Sequence, residues 1–117
     1  MNSPFQVIHY NDENGSDPIE SFLNGLRPTN QWSIITSTIL RLESVGLQLC
    51  ETKAAKVFNI RLQLYELTKG DYRVVFFADG NTFVLLHGFP KHSQKTFRED
   101  KKIVETRLEK YKSEKSK

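Results

Sequence analysis

The apolar positions along the chain change their spacing between two and about 3.6, and these switches predict the elements. Phe5-Gln6-Val7-Ile8-His9-Tyr10 is a short β-type run, closed by the turn-rich Asn11-Asp12-Glu13-Asn14-Gly15-Ser16. Ile19, Phe22, Leu23 and Leu26 then share one helical face. Asp17 can cap that helix, Pro18 fits its first position and Glu20 completes a capping box. Arg27-Pro28 ends it, because the residue before proline is driven out of the helical region. Thr29 can cap a second helix, with Trp32, Ile35, Ile39 and Leu42 at helical spacing and Gly46 as its stop. Residues 47–58 are poorly patterned and read as a loop. From Ile60 the period becomes two, with Leu62, Leu64 and Glu66 on one face. Lys69-Gly70-Asp71 is a turn, 72–78 a strand, Asp79-Gly80-Asn81 a tight turn and 82–89 another strand. Val74-Val75-Phe76-Phe77 and Val84-Leu85-Leu86 are apolar on both faces, so these strands are expected to be central and covered. Residues 90–94 read as a loop. Thr96 with Glu99 makes a second capping box ahead of an amphipathic helix that buries Ile103, Val104, Leu108 and Tyr111.

The expected order is therefore β-α-α-β-β-β-α. The fold class is α+β, a mostly antiparallel four-stranded sheet with a helical hairpin on one face and a C-terminal helix. Residues 1–112 form a single domain, and 113–117 form a frayed basic tail. A length of 117 residues suits one core and not two. No apolar run is long enough to span a membrane. The start of the chain has neither a basic nor an apolar leader region, so no signal peptide is expected. Cys50 is the only cysteine. It lacks any nucleophile signature and reads as a small half-buried apolar residue of a cytoplasmic, reducing compartment.

The net charge of +3 conceals an uneven distribution. Residues 91–117 hold ten Lys or Arg against five Asp or Glu, and residues 1–90 hold seven against nine. A basic stretch of this kind attracts polyanions, although a solvated helix face would look the same. Several chemistries are excluded by what the sequence lacks. There is no phosphate-binding glycine loop, dinucleotide fingerprint or Gly-x-Ser-x-Gly elbow. His9, His87 and His92 fall on different elements, so neither a metal nor a cofactor is expected.

What remains is a group of cations near the central strands. Arg73 sits inside an apolar strand, where a charge is costly unless it meets a wet cleft, a partner, or a carboxylate such as Glu66 or Asp71. His87 interrupts the next strand near its end, where a satisfied core histidine is the commoner explanation. Lys91, His92 and Lys95 precede the last helix, whose N-terminal N–H groups favour anions. Arg61 and Lys69 flank the preceding strand and could extend the patch along a nucleic-acid backbone. Metal-free RNA cleavage requires fixed cations for the charge growing on the phosphoryl oxygens, a base for the 2′-hydroxyl and an acid for the leaving 5′-oxygen. Arg73 suits the first role, and His87, His92 or a lysine the others.

Leu64-Tyr65-Glu66-Leu67, Tyr72-Arg73-Val74-Val75-Phe76 and Leu85-Leu86-His87-Gly88-Phe89-Pro90-Lys91-His92-Ser93-Gln94-Lys95-Thr96 together resemble the phage-derived, HigB-like branch of the RelE/HigB toxins. Tyr10-Asn11-Asp12-Glu13-Asn14-Gly15, with Pro18, Phe22 and Leu26, extends the resemblance over nearly the whole chain. The resemblance implies a RelE-like fold and the toxin of a type II toxin–antitoxin pair. Such a toxin is a ribosome-dependent mRNA endonuclease that acts in the A site by metal-independent transesterification. A helix-turn-helix antitoxin would neutralise it. By position Arg73 matches the family's strand arginine at the scissile phosphate, and Lys91 and Lys95 match its basic residues after the last strand. The implied catalytic set is Arg73, His87 and Lys91, with Arg61, Lys69, His92 and Lys95 binding RNA. Glu66 and Thr68 stand where other RelE toxins place lysines, Phe97 where this branch has proline, and His92 where a second basic residue is common. The competing expectations are a non-catalytic RNA- or protein-binding module and a structural phage protein on the same scaffold.

Overall fold

The computed structural model describes residues 4–91 and 94–116, and the side chains of 94–96 are not described. Strand β1 (Gln6–His9) leads to a hairpin of helices α1 (Pro18–Leu26) and α2 (Asn30–Val45). A 3-10 turn at Gly46–Glu51 follows, then strands β2 (Ala55–Asn59), β3 (Leu64–Leu67), β4 (Tyr72–Asp79) and β5 (Thr82–Pro90), and helix α3 (Gln94–Lys115). The sheet has five strands in the order β1-β5-β4-β3-β2. β1 runs parallel to β5, and the other pairs are antiparallel. The expected four-stranded sheet and β-α-α-β-β-β-α order are thus corrected to a mixed five-stranded sheet and β-α-α-β-β-β-β-α. The missed element is β2, which lies within the segment read as a loop. It is an edge strand whose buried positions include only the small Ala55, while Lys56 and Val57 face solvent, so it carries no apolar alternation.

The local signals read from the sequence form as anticipated in the helical hairpin. Asp17 caps α1 by accepting from the Glu20 amide at 2.9 Å, with proline in the first turn. Thr29 caps α2 through the Gln31 amide, and Gly46 ends it at φ +63°. Two boundaries differ. Residues Ile60–Leu62 form a 3-10 turn, not a strand, because the Asn59 side chain accepts from the amides of Arg61 and Leu62. Helix α3 begins at Gln94, so Thr96 lies within its first turn and does not precede it.

Alternation along the central strands divides the core in two. Val74, Phe76, Phe83 and Leu85 face the helical hairpin and meet Ile19, Leu26, Ile35 and Leu42. Val75, Phe77, Val84 and Leu86 face α3 and meet Val104 and Leu108. Coverage of both faces explains the continuous apolar runs in β4 and β5. Cys50 packs at the margin of the hairpin-side core, and burial pushes its thiol pKa up, which makes it a poor nucleophile. Among the described residues no helix is long and apolar enough to cross a membrane.

The far end of α3 is tied back to the β4–β5 turn. Tyr111 Oη donates to Asp79 Oδ2 at 3.2 Å, and the Lys115 ammonium donates to the same oxygen. The Lys115 hydrogen bond holds the Asp79 carboxyl below the usual carboxylate range. A depressed native pKa stabilises the fold above the unfolded value of about 3.9, and this contribution is lost as pH falls through the lower native value. Asp79→Asn should therefore lower Tm by about 1–3 °C at pH 7, as a partly exposed pair allows, and leave it unchanged near pH 2 in paired thermal melts.

Candidate nucleic-acid interface

The register decides which candidates share a face. β5 carries an extra residue between the pairs Val75–His87 and Phe76–Leu85. This bulge turns both Leu86 and His87 toward α3. His87 therefore lies on the same face as Val75, and so does Arg73, two residues earlier on β4 and paired with Phe89. Glu66 on β3 is paired with Val75 and joins this face as well.

Arg73 is half-buried, and its Nη1 donates to the carbonyls of Gly70 at 3.0 Å and Tyr72 at 2.9 Å. Among the described residues it forms no ion pair, so the Glu66 and Asp71 pairings considered from the sequence do not occur. Glu66 is buried and takes Lys56 Nζ at 3.3 Å. Lys91 is exposed and lies beside the β3–β4 turn, its amide donating to the Asp71 carbonyl at 2.9 Å. Arg73, Lys91 and the turn lysine Lys69 are thereby gathered at one end of the sheet. Lys69 also reaches over the hairpin side, where it borders a shallow groove with Ser33, Ser37 and Arg41. Arg61 is not part of this cluster. It follows β2 at the other end of β3, where Gln63 meets Ala78, roughly 17 Å along the strands from Arg73. His92 and the side chain of Lys95 lie outside the described residues.

The turn holding Arg73 is set by a residue that the sequence did not single out. Gln31, in the first turn of α2, accepts from the Asp71 amide at 2.8 Å and donates to Asp71 Oδ2 at 3.3 Å. Gly70, at φ +79°, leaves room for it, since a Cβ there would come within 2.6 Å of Gln31 Oε1. Gln31→Ala removes both bonds. It should cost about 1 kcal/mol and raise the hydrogen-exchange rate of the Asp71 amide several-fold, which native-state exchange measures.

His87 is enclosed by α3. Its Nε2 is 2.7 Å from Asp100 Oδ1, and Arg107 Nη1 lies 3.3 Å from its Nδ1. Nε2 thus faces a carboxylate, which only accepts, and Nδ1 faces a guanidinium, which only donates. The ring also stacks on Phe89, with centroids 5.3 Å apart. The imidazole thus fastens the β5 bulge to α3. Among the described residues no three His, Cys, Asp or Glu are grouped as a metal site would need.

A mixed sheet covered by helices on both faces, with an arginine and lysines gathered at one end, defines an α+β domain. The family described as phage-derived protein Gp49-like (DUF891) matches residues 21–109. The chain belongs to this phage-derived family of RelE-like toxins of toxin–antitoxin systems. Among curated proteins, none matches it.

Proposed function

We propose that the chain is the HigB-like toxin of a type II pair, an endoribonuclease that cuts mRNA in the ribosomal A site by transesterification from the 2′-hydroxyl. The observation that carries this reading is Arg73. It is a strand arginine without an ion pair among the described residues, at the same end of the sheet as Lys91. Two of its N–H groups hold the turn, which fixes the guanidinium in place. A fixed cation stabilises the charge that grows on the phosphoryl oxygens without reorganising during the reaction. Lys91 adds a second cation and a proton donor for the leaving 5′-oxygen, and Lys69 meets the backbone beyond. His87 can take the 2′-proton only by releasing Arg107 from Nδ1 or Asp100 from Nε2. The family implies a cognate antitoxin; we take it to be of the helix-turn-helix class and place the toxin's action in the cytoplasm.

The test is induced expression in a growing bacterium. Growth should stop without the antitoxin and recover when the antitoxin is co-expressed. Undisturbed growth with soluble, folded protein would sink the reading. The occupied nitrogens of His87 favour the second reading, an RNA- or protein-binding module without cleavage, which predicts ribosome binding and intact mRNA.

A further inference from the structure

Away from Arg73, a cleft of about 590 Å³ opens between α3 and the segment that joins β1 to α1. Its walls include Tyr10, Pro18 and Ile103, with Arg107 alongside and Ser16 and Thr106 presenting hydroxyls. Most of its surface is apolar, yet it contains a cation with spare donors. Among the described residues Arg107 spends only Nη1 on the protein, on the Leu86 carbonyl at 2.7 Å and on His87. Its guanidinium lies over the Tyr10 ring, 5.8 Å from the centroid. Nε and Nη2 have no protein partner among the described residues, and no buried side-chain donor there lacks one, so these N–H groups open to the cleft's solvent. Burial lowers the Arg107 pKa from its ordinary value, and the nearby Tyr10 and Asp12 offset that desolvation only in part. A guanidinium edge left open in this way matches the two oxygens of one carboxylate.

We propose that this cleft receives an acidic side chain and its apolar neighbour from the cognate antitoxin. The identity of the partner rests on the toxin reading, whereas the chemistry of the anchor rests on the cleft. The carboxylate would take the Arg107 fork with help from Lys102 and the two hydroxyls, and the neighbour would lie against Tyr10, Pro18 and Ile103. An RNA backbone fits less well. Asp12 and Glu99 line the cleft as well and repel a chain of phosphates more strongly than a single carboxylate, and Lys110 there is already paired with Glu13 at 3.8 Å. One charged side chain beside apolar contact is a typical anchor of a protein interface, where arginine is enriched.

The experiment follows the Arg107 Nε–H resonance by NMR in the full chain. Four probes are used: a blocked tetrapeptide of three leucines and one glutamate, its glutamine analogue, inorganic phosphate and a short oligouridylate. The glutamate peptide should shift the signal and saturate at least about tenfold below its glutamine analogue, as expected when a charge-assisted pair is lost. A shift as large with phosphate or oligouridylate, or none with the glutamate peptide, overturns the proposal. In a second arm, Lys102→Glu and Arg107→Gln are titrated with the antitoxin. Lys102 is exposed, so its replacement leaves the fold intact, and it should weaken binding about tenfold. Unchanged affinity in the Lys102 variant overturns the proposal even if Arg107→Gln fails to fold. Growth arrest separates the two claims. A toxic chain whose antitoxin ignores Lys102→Glu loses this inference alone, and a harmless chain loses the toxin reading.

Discussion

Arg73→Ala is expected to release the growth arrest caused by the chain and to slow mRNA cleavage by about 10²–10³-fold, the usual cost of one preorganised donor to a developing oxyanion. The argument starts from burial. Arg73 shares a face with Val75 and Phe77 and is half-buried. Its guanidinium bridges the carbonyls of Gly70 and Tyr72, and the turn is held in turn by Gln31. The variant loses those bonds too, worth about 1–2 kcal/mol, so its Tm should fall by roughly 4–8 °C. Growth and cleavage are therefore compared at a temperature where circular dichroism shows both proteins folded. Arg73→Lys separates the roles. It restores a charge but not the planar fork, so cleavage should recover only in part. Equal toxicity of wild type and Arg73→Ala would remove Arg73 from the site.

The second large effect is expected far from any charge. Gly88 on β5 lies directly under Phe22 of α1, whose ring also meets Tyr72 edge-on at 5.8 Å. A Cβ at Gly88 would stand 2.3 Å from Phe22 Cδ2, closer than carbon atoms pack. Gly88→Ala must push Phe22, and α1 with it, off the sheet. Overpacking of this kind costs about 1–3 kcal/mol, or roughly 4–12 °C in Tm. The remedy is specific. Adding Phe22→Leu to Gly88→Ala should make the pair less destabilised than the sum of the two single changes. Additive losses would mean that the contact does not set the packing of α1.

These two residues also mark how far the sequence could be read. The helical hairpin was legible because its signals are local: Asp17-Pro18, Thr29 and Gly46 act within a turn of the residues they cap. The apolar runs of β4 and β5 announced strands covered on both faces, and α3 and the hairpin supply the cover. β2 was not legible, because an edge strand built on Ala55 and Lys56 has little apolar pattern to show. The parallel pairing of β1 with β5 was hidden for another reason, since nothing local tells a strand which neighbour it will join. The bulge at Leu86 mattered most for the site. It shifts β5 by one residue and so places His87 on the Arg73 face, a choice that alternation alone leaves open. Gln31 and Arg107 carry no local signal that sets them apart from other helix residues. Their roles come from contacts with Asp71 and Leu86, 40 and 21 residues away in sequence.

The cation cluster itself was partly legible. Arg73, Lys91 and Lys69 lie at the same end of the sheet, whereas Arg61 is carried to the other end by the length of β3. The structure sets His87 between Asp100 and Arg107 and places the buried Glu66 carboxylate on the same face.

The central claim is cleavage of mRNA during translation, and mapping of mRNA 5′ ends after brief induction in a growing bacterium tests it most directly. Wild type should create new 5′ ends within translated reading frames. Those ends should be missing with Arg73→Ala and missing from a reporter whose start codon has been removed. No new ends during a full growth arrest, or ends equally abundant in the untranslated reporter, would contradict the account.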